Sequence, residues 1–168
     1  MAEIPVISIV AAKSNSGKTT LLEKVIRELK LRGYKVAVVK HHPGDFEIDR
    51  PGKDTWRHAQ AGADVVAISS PEKVAIIEKR EKELTLDEIA GRISGVDIII
   101  TEGYKKEKKP KIEVFHGERH PALVSPPEEL IAVAGDIPCE IPVPCFHIND
   151  YQGIADLIED FIKKNQVY

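Results

Sequence analysis

Apolar positions in this chain alternate between short continuous runs and a helical spacing, and that alternation predicts the order of its elements. Ile4 to Ala12 is an apolar run that reads as a buried strand. A polar interval, Lys13 to Thr20, follows it. Leu21, Leu22, Val25, Ile26 and Leu29 then recur at helical spacing, with Glu23, Lys24, Arg27 and Glu28 on the other side. Gly33 suits the end of that helix. Lys35 to His41, centred on Val36-Ala37-Val38-Val39, reads as a second buried strand. Strand, helix and strand in this order predict a parallel βαβ unit with a right-handed crossover.

Further along, His42 to Lys53 is irregular, with Pro43, Gly44, Pro51 and Gly52. Asp54 is expected to cap a short helix from Thr55 to Ala61, ended by Gly62. Asp64 to Ser70 and Lys73 to Glu78 read as neighbouring strands joined tightly at Pro71. Thr85 to Ile93 is helical in pattern, and Val96 to Thr101 is the most apolar strand. Ile112 to Phe115 and Leu130 to Ala134 are two more strands, and Pro138 to Pro144 reads as a surface crossing. Asn149 or Asp150 caps a last helix carrying Ile154, Leu157, Ile158 and Phe161. Neither repeat nor linker interrupts the pattern. It predicts one α/β domain over residues 1–168, with three layers around a mostly parallel sheet.

Composition narrows the class. The chain of 168 residues is 42% hydrophobic and 30% charged, ordinary for a globular domain. A net charge of -3, with no basic stretch interleaved with aromatics, argues against a nucleic-acid partner. The first residues carry no basic leader and the first apolar run is too short to span a bilayer, so a cytoplasmic protein without membrane association is expected. Cys139 and Cys145 fit no common zinc spacing and are expected to be buried or idle thiols.

The polar interval changes the picture. Lys13-Ser14-Asn15-Ser16-Gly17-Lys18-Thr19-Thr20 stands between a strand pattern and a helix pattern, the context of a P-loop NTPase. Backbone N–H groups from Ser14 to Thr20 would cradle a polyphosphate, Lys18 would reach the β- and γ-phosphates, and the Thr19 hydroxyl would join the magnesium shell. Ala12 stands where the strict motif has its first glycine.

A triphosphate site also needs an acid at the end of a strand beside the loop strand. Glu102 is the candidate, ending Ile98-Ile99-Ile100-Thr101-Glu102-Gly103 on the ligand side of an open sheet. It would bind magnesium directly, act through water, or orient an attacking water; a solvated strand-end acid is the alternative. Asp97 opens the same strand at the opposite edge and is excluded. Lys40 and His41 end the second strand near the loop, and adjacent His41 and His42 point to opposite faces, a poor start for a metal site, as is the distant His58. Asp54 is assigned an indirect contact to magnesium, compatible with a capping role. Lys105, Lys106, Lys108, Lys109 and Lys111 read as a solvated turn on the ligand side, with room for an anionic second substrate. Asp136, just past a late strand, is placed to accept hydrogen bonds from guanine N1–H and N2–H; a turn-forming Gly-Asp is the alternative. Lys13 is either a surface lysine or an early loop lysine reaching across a dimer.

Several of these segments together resemble the molybdopterin-guanine dinucleotide biosynthesis protein B (MobB) family. They are Ala11 to Leu21, Val39-Lys40-His41-His42, Asp49 to Thr55, Thr101-Glu102-Gly103-Tyr104-Lys105, Ala132 to Asp136 and Ile148-Asn149-Asp150. Ala12 and the Glu102-Gly103 pair match usual features of that family, whereas Lys13 does not. The resemblance implies a homodimeric GTP-binding protein with at most weak GTPase activity, using GTP and Mg2+. It also implies an adaptor role beside the guanylyltransferase that attaches GMP to molybdopterin, with molybdopterin or its metal form as a bound substrate. By the same resemblance Lys18 and Glu102 are the residues nearest the chemistry, Ser14 to Thr20, Lys40, His41 and Asp136 bind nucleotide, and Thr19, Glu102 and Asp54 serve the metal. Two other classes compete: a nickel-delivering metallochaperone GTPase, and an ATP-dependent small-molecule kinase or ligase.

Overall fold

The computed structural model describes residues 3–116, 122–136 and 141–166. In chain order its elements are β1 (Val6–Ala11), α1 (Lys18–Leu31), β2 (Val36–Lys40), α2 (Asp54–Gln60), β3 (Val65–Ser69) and β4 (Val74–Glu78). These are followed by α3 (Leu86–Ala90), β5 (Ile98–Glu102), β6 (Lys111–Phe115), β7 (Leu130–Gly135), β8 (Cys145–His147) and α4 (Tyr151–Asn165). They fall into two compact units, His42–Thr85 and the chain on either side of it.

The larger unit is built on a six-stranded sheet in the order β2-β5-β1-β6-β7-β8, with every pairing parallel. Strand alternation sorts its side chains. Ile7, Ile9 and Ala11 of β1 and Ile98 and Ile100 of β5 join Leu22, Val25 and Leu29 of α1 and Ile154, Ile158 and Ile162 of α4 in one buried cluster. Val6 and Ile99 turn the other way, onto Leu86 and Ala90 of α3. Helices therefore cover both faces of the central strands, which is the three-layer α/β arrangement expected. Two polar groups on the α3 side are buried together and satisfied, Thr101 Oγ1 donating to Ser8 Oγ at 2.8 Å.

Local chemistry fixes the helix ends. Past α1, Gly33 adopts φ +90°, and the N–H groups of Gly33 and Tyr34 return to the carbonyls of Lys30 and Leu29. That satisfies two carbonyls the helix would leave open. Asp150 caps α4 by accepting from the Gly153 N–H at 3.0 Å, which settles the choice between Asn149 and Asp150.

Three expectations need correction. Lys111 is not part of a solvated turn: it opens β6, is fully buried, and donates to the carbonyls of Glu107 and Lys109 and to the Glu129 carboxylate. Asp54 does not cap α2 but is its first residue; Lys53 occupies the cap position and no side chain caps that end. Cys145 is not an idle thiol, because its sulfur is in a disulfide; Cys139 lies outside the described residues, as does part of the proline-rich crossing. A strand also went unforeseen, since β8 is only three residues long and directly preceded by a proline-rich stretch.

In the smaller unit α2 precedes an antiparallel ribbon that pairs Val65 with Glu78 through to Ser69 with Val74. Within that ribbon Val66 alone is buried, while Val65, Ile68, Val74 and Ile76 are each more than half exposed. Among the described residues no helix is long and apolar enough to cross a membrane.

Candidate functional site

The phosphate loop leaves the buried end of β1 and runs into α1 through backbone of alternating handedness. Asn15 has φ +58° and Gly17 has φ +83°, with Ser16 between them. Alternation of this kind turns successive N–H groups to one side and makes a concave nest for an anion. Gly17 meets no atom within 4 Å of where a Cβ would sit, so its requirement for glycine is conformational, not steric. Its position is the N-cap of α1, where no side chain caps the helix and no acid occupies the first turn. The N–H groups there, and the positive end of the helix dipole, stay available to a ligand.

Side chains converge on this loop because of strand parity. Glu102 shares a face with Ile98 and Ile100, the face that α1 covers, so its carboxylate meets the first turn of α1. There Thr19 Oγ1 donates to Glu102 Oε1 at 2.8 Å. Lys40 is the register partner of Glu102 on β2, and its Nζ lies 3.7 Å from the same oxygen. Lys18 Nζ donates to the Lys13 carbonyl and to Ser16 Oγ, at 3.1 Å each. Beyond β5, Gly103 at φ +99° and Tyr104 at φ +60° reverse the chain, and Lys105 Nζ reaches back to the Ala12 carbonyl at 2.7 Å. Gly103 is also held closely, its N–H donating to Ile9 O while an added Cβ would stand 3.3 Å from that of His41.

The loop's electrostatics are dominated by cations. Burial depresses the Lys18 ammonium below the usual lysine range, the cations of Lys105 and Lys40 push the same way, and Glu102 opposes them. Several cations thus crowd around one carboxylate, an arrangement that a polyphosphate would relieve. Thr19 Oγ1 and Glu102 Oε1 supply two hard oxygens in contact, the donor type magnesium takes. Thr19, Glu102 and Lys40 are therefore brought together with the loop.

His41 lies on the opposite face from Lys40, its ring 4.9 Å from that of Tyr104. Asp54 belongs to the other compact unit, in the first turn of α2. Asp136 directly follows β7, and its carboxylate Oδ2 is 2.9 Å from Nδ1 of His116. The other nitrogen of that ring, Nε2, is 2.8 Å from the Ser16 carbonyl oxygen. His116, which the sequence reading did not single out, and Lys105, read there only as part of a basic turn, also contact the loop. The usable signal for His116 was its place just past β6, on the ligand side of the sheet. Among the described residues no group of three or more His, Cys, Asp or Glu is placed to hold a metal ion.

The chain is similar to known proteins along most of its length. The family model for MobB, molybdopterin guanine dinucleotide synthesis protein B, matches residues 6–136. The chain is 38% identical over 162 residues to the molybdopterin-guanine dinucleotide biosynthesis adapter protein of Haemophilus influenzae, covering 95% of this chain and 90% of that one. It is 38% identical over 161 residues to the Escherichia coli protein of the same name, covering 92% and 91%. Among solved structures, a crystal structure of molybdopterin-guanine biosynthesis protein B superimposes with a TM-score of 0.74 at 32% identity, over 94% of this chain and 99% of that one. That of Bacillus subtilis MobB superimposes with a TM-score of 0.76 at 28% identity, over 93% and 96%. With the family model matching residues 6–136, a shared fold and relatives aligned along nearly their whole length, the chain belongs to the MobB family.

Proposed function

We propose that this chain is a GTP-binding adaptor of molybdenum-cofactor biosynthesis, acting in the cytoplasm beside the guanylyltransferase that attaches GMP to molybdopterin. The observation that carries the reading is the phosphate loop joined to Glu102 through Thr19, in a chain similar to adapter proteins of that pathway. In this reading Ser14 to Thr20 wrap the phosphates, Lys18 neutralises the terminal ones, and Lys40 adds a cation at the edge. Asp136 accepts from guanine, and His41 borders the site. Thr19 and Glu102 would hold Mg2+, which when bound would neutralise phosphate charge. The gathered residues are cations, one acid and a hydroxyl. That set binds a triphosphate without supplying the glutamine or arginine finger that speeds hydrolysis, so GTP turnover is slow and the partner performs the transfer. Molybdopterin, or its metal form, is the second bound substrate.

A homodimer is part of the proposal. Val65, Ile68, Val74 and Ile76 expose apolar surface on both faces of a two-stranded ribbon, and a second copy is the occupant that would cover it. Sedimentation of the purified chain tests this, a monomer at micromolar concentration being the adverse result.

The deciding experiment is a pair of calorimetric titrations with GTP and ATP, both with Mg2+, on the parent chain and on Lys18→Ala. Preference for GTP, lost with the lysine while the fold persists, is the expected outcome. Tight ATP binding with indifference to GTP would replace the adaptor by an ATP-dependent kinase or ligase, and stoichiometric nickel binding would favour a metallochaperone.

A further inference from the structure

One side chain ties the phosphate loop to the acid assigned to the base. His116, just past β6, touches Ser16 in the loop with Nε2 and Asp136 at the end of β7 with Nδ1, at 2.8 and 2.9 Å. A carbonyl oxygen only accepts, so Nε2 donates to Ser16; an ionised carboxylate also only accepts, so the Nδ1 bond is complete when that nitrogen carries hydrogen too. The ring itself is only about one-fifth exposed, and Ser16 is buried.

The consequence for the loop follows from peptide geometry. The Ser16 carbonyl and the Gly17 N–H belong to one trans planar unit and point in opposite directions. Holding the carbonyl on the His116 side therefore turns the Gly17 N–H away from it, at the residue whose left-handed backbone starts α1. Rotation of that peptide would remove one donor from the nest. On its other edge the ring fixes the direction of the Asp136 carboxylate, leaving Oδ1 as the oxygen not engaged by Nδ1 in that bond.

We propose that His116 is a positioning residue that couples phosphate binding to base recognition: it orients the Ser16–Gly17 peptide and the Asp136 carboxylate together. This rests on the reading of Asp136 as the guanine contact. A ligand that uses both ends of the site gains from an arrangement neither end holds alone.

Amide substitutions separate the two bonds. In His116→Gln the amide nitrogen takes the place of Nε2 and can donate to Ser16; in His116→Asn it takes the place of Nδ1 and can donate to Asp136. Calorimetric titrations of each, of His116→Ala, and of their combinations with Asp136→Asn would use inorganic tripolyphosphate, GTP and ATP, all with Mg2+. Thermal unfolding of every variant identifies any that fails to fold. We expect His116→Ala and His116→Asn to weaken tripolyphosphate about tenfold, the size of one hydrogen bond to a charged group, and His116→Gln to weaken it much less. For GTP, the effects of His116→Gln and Asp136→Asn should be less than additive, since the first removes the His116–Asp136 bond and the second takes the charge out of that same bond.

Equal tripolyphosphate affinity in the parent and His116→Ala would overturn the orienting role at the loop. Additive effects on GTP would overturn the coupling. If the parent does not prefer GTP, or Asp136→Asn leaves its preference unchanged, the base assignment and the coupling fall together, and the tripolyphosphate series still decides the loop role by itself.

Discussion

Replacing Lys111 by methionine should be among the costliest single changes in this protein, although it lies far from the phosphate loop. The side chain is fully buried, and its ammonium donates to the carbonyls of Glu107 and Lys109 and to the Glu129 carboxylate. Methionine keeps the apolar stem and its packing, so little cavity forms. What it removes is the charge, leaving a carboxylate and two carbonyls without that donor. Breaking one side of a buried pair costs about 3–5 kcal/mol. Glu129 retains 17% exposure of its side chain and can turn partly to water, which puts the loss near the lower end, about 3 kcal/mol. For a domain of this size that lowers Tm by roughly 6–12 °C. Urea unfolding followed by circular dichroism measures it, as a fall in the midpoint at constant slope. Lys111→Met with Glu129→Gln removes both charges and should recover half or more of the loss. A loss below about 1 kcal/mol, or a double variant no better than the single one, would refute the account of Lys111 as a buried, paired charge. Nucleotide binding by the folded protein should persist, since Lys111 begins β6 and the site gathers at the strand's other end.

Glu102→Gln keeps the acceptor for Thr19 but removes the negative charge, so the gain in GTP affinity from Mg2+ should shrink at least about tenfold, read from titrations with and without the metal. Asp136→Asn should reduce the preference for GTP over ATP; unchanged discrimination would send the base contact to another loop. Asp150→Ala removes the cap of α4 and should cost about 1 kcal/mol in urea unfolding, with less than about 0.3 kcal/mol counting against the cap. On α4, Lys163 first and Arg32 next hold the Glu159 carboxyl down to about 2, below the unfolded value near ~4.3. The unfolded chain therefore takes up the proton first on acidification. This contribution to stability is present above the unfolded value and disappears as pH falls through it toward the folded one. Tm should accordingly drop between about pH 4.5 and 2, and less steeply in Glu159→Gln; parallel curves for the two proteins would rule the ion pairs out as the cause.

Much of the fold was legible because its causes are local. The apolar run Ile98-Ile99-Ile100 can bury only as a strand covered on both faces, and the spacing from Leu21 to Leu29 makes one helical stripe. Val36-Ala37-Val38-Val39, expected to be a buried strand, instead forms the sheet's edge and stays partly exposed. Gly33 and Asp150 announced helix ends through conformations and hydrogen bonds made within a few residues. The loop from Ser14 to Thr20 was readable for the same reason, since its chemistry resides in consecutive backbone groups. Short β8 was missed and the start of α2 misread, where proline-rich or irregular context leaves the local signal weak.

Charge and hydroxyl patterns alone, by contrast, could not say which lysine is solvated and which is buried. Lys111 and Lys105 stand in the same basic run; β-pairing pulls one into the interior, and the left-handed turn at Gly103 and Tyr104 folds the other onto Ala12. Thr19 and Glu102 are 83 residues apart, and Ser16 and His116 are 100 apart. They meet because the strand order puts β5 on one side of β1 and β6 on the other. By itself the sequence determined what each segment could become and which loop could hold phosphate, because periodicity and turn chemistry act over a few residues. The tertiary structure decided which distant side chains face that loop, because facing depends on strand order and register, and those are settled only when the whole sheet buries its apolar faces together.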